Sequence, residues 1–235
     1  MMEVIPYGEA ALLVNFPAQI NSQIHEQVLA LHRSLTDPPI PGIRFSIPAY
    51  CSLTLGFDPT IWTFESLRDR LLEINRKIDL SSVEIKIRVL SIPVCYDPNY
   101  AWDMAEIIRH TQLSRKAIID LHCSTIYRVY MLGFLPGFPY MGTIASQLAC
   151  PRKPEPRTAI EPGCVGLAGL QTGIYPSKAP GGWQIIGRTP IRIFTHEKAD
   201  PFLFRPGDQV RFFAISKEEY ESRDWNIYDP LSKNN

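Results

Sequence analysis

Tyr127-Arg128-Val129-Tyr130-Met131-Leu132-Gly133-Phe134-Leu135-Pro136-Gly137-Phe138-Pro139-Tyr140-Met141-Gly142 reads as a strand that runs into an aromatic loop stiffened by proline. No charged residue occurs from position 129 to 151, a length that could span a bilayer. Pro136, Pro139, Pro151, Gly133, Gly137 and Gly142 would break a lipid-exposed helix repeatedly, so the stretch reads as buried irregular structure. Downstream the same punctuation continues. Ten of the 14 glycines fall between Gly133 and Gly187, and 11 of the 21 prolines between Pro136 and Pro206. Short apolar runs lie between them, at Val165–Leu170, Trp183–Gly187, Ile191–Phe194 and Gln209–Ile215. Many short strands separated by Gly/Pro turns predict a barrel or sandwich.

Upstream the pattern differs. Ala11–Val14 and Ser52–Leu55 are strand-length apolar runs, and Ile43–Ile47 and Val83–Val89 alternate apolar with polar residues. Ile20, Ile24, Val28, Leu31 and Leu35 form one helical face, capped at Asn21 or Ser22 and stopped by Asp37-Pro38-Pro39. A second helix is expected after Thr63, with Phe64, Leu67, Leu71, Ile74 and Ile78 on its stripe. The expected fold class is α+β. A small α+β domain over 1–84 precedes a barrel domain over 85–220, and 221–235 is a polar tail that frays. Residues 85–100 read as a connector, followed by short helices around Ala101–His110 and Ser114–Cys123.

The 24 basic and 24 acidic residues balance, which argues against a nucleic-acid or anionic-membrane binder. Five dispersed cysteines without a C-x-x-C pair suit reduced thiols, and the N-terminus has no basic and apolar leader, so a cytoplasmic protein is expected. The chain has no G-x-x-x-x-G-K-[ST] loop, no H-E-x-x-H and no G-x-S-x-G. No metal site is expected, and any ATP site belongs to, or is shared with, another chain.

Chemistry concentrates in the second half. Tyr130, Phe134 and Phe138 could shape an apolar pocket, or could plug the end of a barrel. Arg152 and Arg157, held apart by prolines, suit a carboxylate or phosphate, and equally suit a solvated loop. Gln171 offers both hydrogen-bond senses to an amide or lactam, Tyr175 a phenol, and Arg188 a cation at a strand end. His122 is a candidate general base by its near-neutral pKa, with a purely structural histidine as the alternative.

These strings resemble a known family. Gly8–Val14, Ile47–Leu53, Ile92–Asp97, Tyr130–Tyr140, Gln171–Pro176, Pro180–Trp183 and Ile186–Pro190 are similar to the family called allophanate hydrolase subunit 1, KipI-like kinase inhibitor or 5-oxoprolinase B subunit (PxpB). The resemblance spans about residues 4 to 216. It departs at Thr143-Ile144 and at Glu161-Pro162-Gly163-Cys164. It implies a C-terminal cyclophilin-like barrel. It also implies two companion proteins of the 5-oxoprolinase complex, PxpC (the counterpart of allophanate hydrolase subunit 2) and PxpA. Together the three open 5-oxoproline to L-glutamate with ATP. On that reading Arg152 or Arg157 faces the substrate carboxylate, Gln171 the lactam amide, and His122 or Tyr175 transfers a proton. The alternatives are an inhibitor that binds a sensor histidine kinase, and an amide carboxyltransferase of the allophanate hydrolase/urea carboxylase type.

Overall fold

The computed structural model describes residues 2–80 and 87–232. The chain forms two compact units, Met1–Lys86 and Ile87–Asn235.

In the first unit, β1 (Glu3–Pro6), β2 (Ala11–Asn15), β3 (Ile43–Pro48) and β4 (Ser52–Phe57) form an antiparallel sheet in the order β1-β2-β4-β3. Leu12, Val14, Leu53 and Leu55 alternate onto one face, as a period of two requires. They meet Val28, Leu31 and Leu35 of α1 (Ser22–Thr36) and Leu67 and Leu71 of α2 (Phe64–Lys77) in one core. Asn21 caps α1 by accepting from the Gln23 and Ile24 N–H groups, and Thr63 caps α2 in a reciprocal pair with Ser66. α1 stops at Asp37, as expected, and α2 starts after Thr63, as expected, whereas Ile20 and Ile78 of the expected apolar faces lie just outside the helices. Of the strand expected over Val83–Val89, positions 83–86 lie outside the described residues.

The second unit is a closed barrel in the order β10-β7-β6-β13-β5-β12-β9. Its strands are β5 (Val89–Cys95), β6 (Ile126–Leu132), β7 (Pro139–Gly142), β9 (Cys164–Ala168), β10 (Gln171–Ile174), β12 (Gln184–Arg188) and β13 (Gln209–Ile215). A separate two-stranded sheet joins β8 (Arg157–Ile160) to β11 (Ala179–Gly181). Helices α3 (Met104–Thr111) and α4 (Arg115–Ser124) contribute Met104, Ile107 and Ile118 to the core shared with Leu90, Ile92, Val94, Val165 and Phe212. The expected α+β class with a barrel holds.

Three local expectations are corrected. The connector over 85–100 contains β5, a strand of the barrel wall that runs parallel to β13 and buries Leu90, Ile92 and Val94. The run Ile191–Phe194 buries Ile191 and Ile193 without becoming a strand; only Phe194 bridges to Phe202. The tail does not fray over its described length. α5 (Lys217–Ser222) leads into it, Trp225 is buried, and the Pro230 carbonyl accepts the Ser91 N–H (2.9 Å). The Tyr228 hydroxyl donates to the Ser91 carbonyl at 3.0 Å. β12 pairs with β5 only at Arg188 and Cys95, so the tail serves the part of the β5 edge that β12 does not reach.

Candidate functional site

β6 and β7 form a hairpin, so the aromatic stretch is two strands around a short tip rather than one strand and a loop. Gly137 turns the tip at φ +81, and Phe134 shares the left-handed region at φ +66 while staying 59% exposed. Beneath it lies a wall of rings. Phe138 stands edge-on to Tyr175 (5.2 Å between centroids) and to Trp183 (5.4 Å), with Tyr140 at 4.9 Å and Phe134 edge-on at 5.7 Å. Gly181 makes this packing possible, since a Cβ there would lie 2.3 Å from the Tyr175 hydroxyl oxygen.

Beside this wall stands a cation, Arg152, which is exposed and has no ion pair among the described residues. Burial raises the pKa values of Tyr140 and Tyr175, and the nearby Arg152 charge opposes the rise in both. The segment that carries Arg152 is pinned on each side. Gln184 donates to the Pro151 carbonyl (3.1 Å), and the Lys153 N–H donates to the Gly182 carbonyl (2.7 Å).

The strongest anchor is a residue that carries no motif. Asp103, 4% exposed, sits at the N-cap position of α3 yet makes no side-chain cap. Its carboxylate instead accepts both Arg157 Nη atoms (2.7 Å each), Lys153 Nζ (3.0 Å) and the Ile185 N–H (2.7 Å). Burial pushes this carboxyl up, but the hydrogen bonds from Arg157, Ile185 and Lys153 outweigh it and leave the pKa below the usual 3.8. Arg157 is therefore corrected from a substrate ligand to a structural partner: its fork is filled by Asp103, with Trp102 under the guanidinium at 5.5 Å. An aspartate just before a helix looks like a cap in sequence, and only a contact across 54 positions reveals this other use.

His122 is also corrected. It lies inside the barrel unit, fully buried and stacked on Phe212 at 4.5 Å. The Thr172 hydroxyl donates to the Gly166 carbonyl (3.1 Å), so its oxygen accepts from His122 Nε2–H (3.2 Å), and Nδ1 accepts from the Tyr96 hydroxyl (2.7 Å). Burial drops its pKa to about 3, and the ring is neutral and closed to solvent. It cannot serve as a general base for a ligand arriving from outside. Tyr175 is corrected similarly: burial pushes its phenol up to about 12, and the hydroxyl accepts from the Trp183 backbone N–H. It is a buried member of the wall, 1% exposed.

The remaining candidates divide. Phe134 and Phe138 meet in the wall, and Arg152 lies near its Tyr140 and Tyr175. Tyr130 and Gln171 approach one another at the barrel rim, where Gly142 pairs with Gln171 and lies against the Tyr130 ring. Arg188 borders a different groove with Thr189, Arg192 and Tyr220. Among the described residues no group of three or more His, Cys, Asp or Glu is placed to hold a metal ion, and no helix is long and apolar enough to cross a membrane.

Residues 2–204 match the family model described as carboxyltransferase domain, subdomain C and D. The chain is 39% identical to the B subunit of 5-oxoprolinase from Bacillus subtilis (strain 168), over 92% of this chain and 93% of that protein. The chain belongs to the 5-oxoprolinase B-subunit family. A second member, from Escherichia coli O157:H7, is 37% identical over 87% of this chain and 92% of its own length. The crystal structure of Kluyveromyces lactis urea carboxylase shares the fold, with a TM-score of 0.73 at 21% identity over 94% of this chain and 22% of that one. In this member of the 5-oxoprolinase B-subunit family, Phe134 and Arg152 are the exposed groups at the aromatic wall.

Proposed function

We propose that this chain is the B subunit of an ATP-dependent 5-oxoprolinase, which opens 5-oxoproline to L-glutamate together with PxpA and PxpC. The observation that carries the reading is Arg152, an exposed cation without an ion pair among the described residues, pinned beside the rings of Phe138, Tyr140, Tyr175 and Trp183. 5-Oxoproline is a flat lactam with one carboxylate, and that pairing of apolar wall with a single guanidinium is its complement. Arg152 holds the carboxylate by its fork, the rings exclude water from the lactam face, and Gln171 meets the lactam amide from the rim.

ATP, when bound to the assembled complex, supplies the phosphoryl group that activates the lactam carbonyl. The described residues contain no glycine-rich loop opening a helix to cradle it, so the nucleotide is held chiefly by the companion proteins. With His122 and Tyr175 closed to solvent, proton transfer also falls to a partner or to water. This chain binds and orients.

The test is co-purification of the tagged chain with PxpA and PxpC, followed by ATP-dependent release of glutamate from 5-oxoproline. Arg152→Gln should raise the KM for 5-oxoproline at least tenfold at an unchanged melting temperature, since the side chain is exposed. A wild-type KM in that variant would remove Arg152 from the site, and absence of glutamate release by the complete complex would remove the reading itself.

A further inference from the structure

Two arginines of the barrel unit that have no ion pair among the described residues border the same groove. It measures about 450 Å3 and opens at the end of β12, bordered by Arg188, Arg192, His196 and Tyr220, with Pro162 and Phe194 among its apolar lining. It shares no lining residue with the aromatic wall or with Arg152.

Arg188 is held by its stem. Its Nε donates to the Pro162 carbonyl at 2.9 Å. The turn that presents this carbonyl needs glycine at position 163, where φ is +84 and a Cβ would lie 2.4 Å from the Thr189 carbonyl oxygen and 3.4 Å from Arg188 Cγ. Both Nη groups are left without an ion pair among the described residues. Arg192 sits between buried Ile191 and Ile193, which anchor the backbone and turn the guanidinium outward. Of the carboxylates here, Glu161 pairs with Lys178 at 2.9 Å, and Glu197, which itself lines the groove, lies 3.4 Å from His196 Nε2, an ion pair only when that ring is protonated. Burial raises the Tyr220 pKa, so its phenol remains a hydrogen-bond donor at neutral pH.

We propose that this groove binds the phosphate group of a small molecule. One guanidinium fork matches the two oxygens of a carboxylate, as Arg157 matches Asp103. Here the donors come from three elements: the end of β12, the loop after it and α5. Donors on several sides match the several oxygens of a phosphate, and two guanidiniums match its higher charge. The volume lies in the range of about 300–1,000 Å3 found for small-ligand sites, and Pro162 and Phe194 offer an apolar surface to the rest of the ligand. The inference does not depend on the 5-oxoprolinase reading.

The test is calorimetric titration of the full chain with inorganic pyrophosphate and with ADP at low salt, using citrate as the carboxylate competitor. Saturable pyrophosphate binding is expected, weakened at least tenfold in Arg192→Gln and in Arg188→Gln and not displaced by equimolar citrate. Arg192 is exposed, so its variant should melt like the parent. ADP binding more tightly than pyrophosphate would identify a nucleotide as the source of the phosphate. ADP binding no more tightly would identify a non-nucleotide phosphate. Either result supports the site. No saturable pyrophosphate binding, undiminished binding in Arg192→Gln, or displacement by equimolar citrate would overturn it.

Discussion

Asp103→Asn keeps the shape of the side chain and removes its charge together with part of its hydrogen bonding, so it tests the carboxylate that anchors Lys153 and Arg157. Each carboxylate oxygen receives two donors: Oδ1 takes Lys153 Nζ and one Arg157 Nη, and Oδ2 takes the other Nη and the Ile185 N–H. An amide nitrogen in either place faces two donors, so two hydrogen bonds are lost whichever way the asparagine turns. Breaking a buried pair from one side costs about 3–5 kcal/mol. Lys153 and Arg157 keep 20% and 27% of their side-chain surface and can rehydrate, which favours the lower end, about 3 kcal/mol. For a unit of this size that is a fall of about 6–12 °C in melting temperature, read by calorimetry at pH 7. The pH dependence is a second readout. The folded carboxyl titrates below its unfolded value of 3.8, so its stabilisation is complete well above that value and is lost as the pH falls through the folded pKa. The gap between parent and variant should therefore close in acid. A fall of less than about 3 °C at pH 7, or a gap that does not narrow as the pH is taken down through the acid range below 3.8, would refute the account. In a double-mutant cycle Asp103→Asn and Arg157→Gln should be clearly less than additive.

His122 gives an acid sensitivity of the same sign in a higher pH window. Its ring is neutral when folded, with a pKa of about 3 against 6.5 unfolded, so its contribution is full above pH 6.5 and falls by about 1.4 kcal/mol per unit below it, about 2 kcal/mol by pH 5. His122→Phe should flatten the slope of unfolding free energy between pH 6 and 4 by one proton, and an unchanged slope would exclude His122 as its source. In the first unit, Arg33 buries Nε and one Nη without a hydrogen-bond partner. Arg33→Met removes two such donors, each costing about 1–3 kcal/mol, and keeps an apolar stem. Denaturant unfolding should show a gain of about 1 kcal/mol or more; a loss would mean that Arg33 has a favourable contact outweighing its burial.

What can be read in advance follows the reach of each interaction. α1 and α2 carry their period, caps and stops within fifteen or so residues, and the caps at Asn21 and Thr63 stand where the side chains announce them. β8, β10 and β11 are three or four residues long and set among glycines and prolines, too short for alternation to register. β5 is hidden by Pro93 and by its partner lying at the far end of the unit. The aromatic wall is half legible: Phe134 and Phe138 stand out, whereas Trp183 joins them only through folding. Arg152 and Arg157 look alike in a proline-spaced run, and their fates differ because of Asp103, which local spacing does not pair with either. The tail looks polar because its anchors, Trp225, Tyr228 and Pro230, are few and set among charged and amide residues such as Asp224, Asn226 and Asp229.

The parallel seam between β5 and β13 has a temporal meaning. Val89 finds its partner in Gln209 and Cys95 in Ile215, so the first barrel strand to leave the ribosome waits for the last. Until then β5 carries open donors and acceptors along both edges, while the segments between can already pair as hairpins. Distant pairing of this kind is slow, and it makes barrel closure a late, all-or-none event. Synthesis halted before position 209 would release not a smaller working barrel but a chain with a sticky strand, a substrate for chaperones or for its own copies.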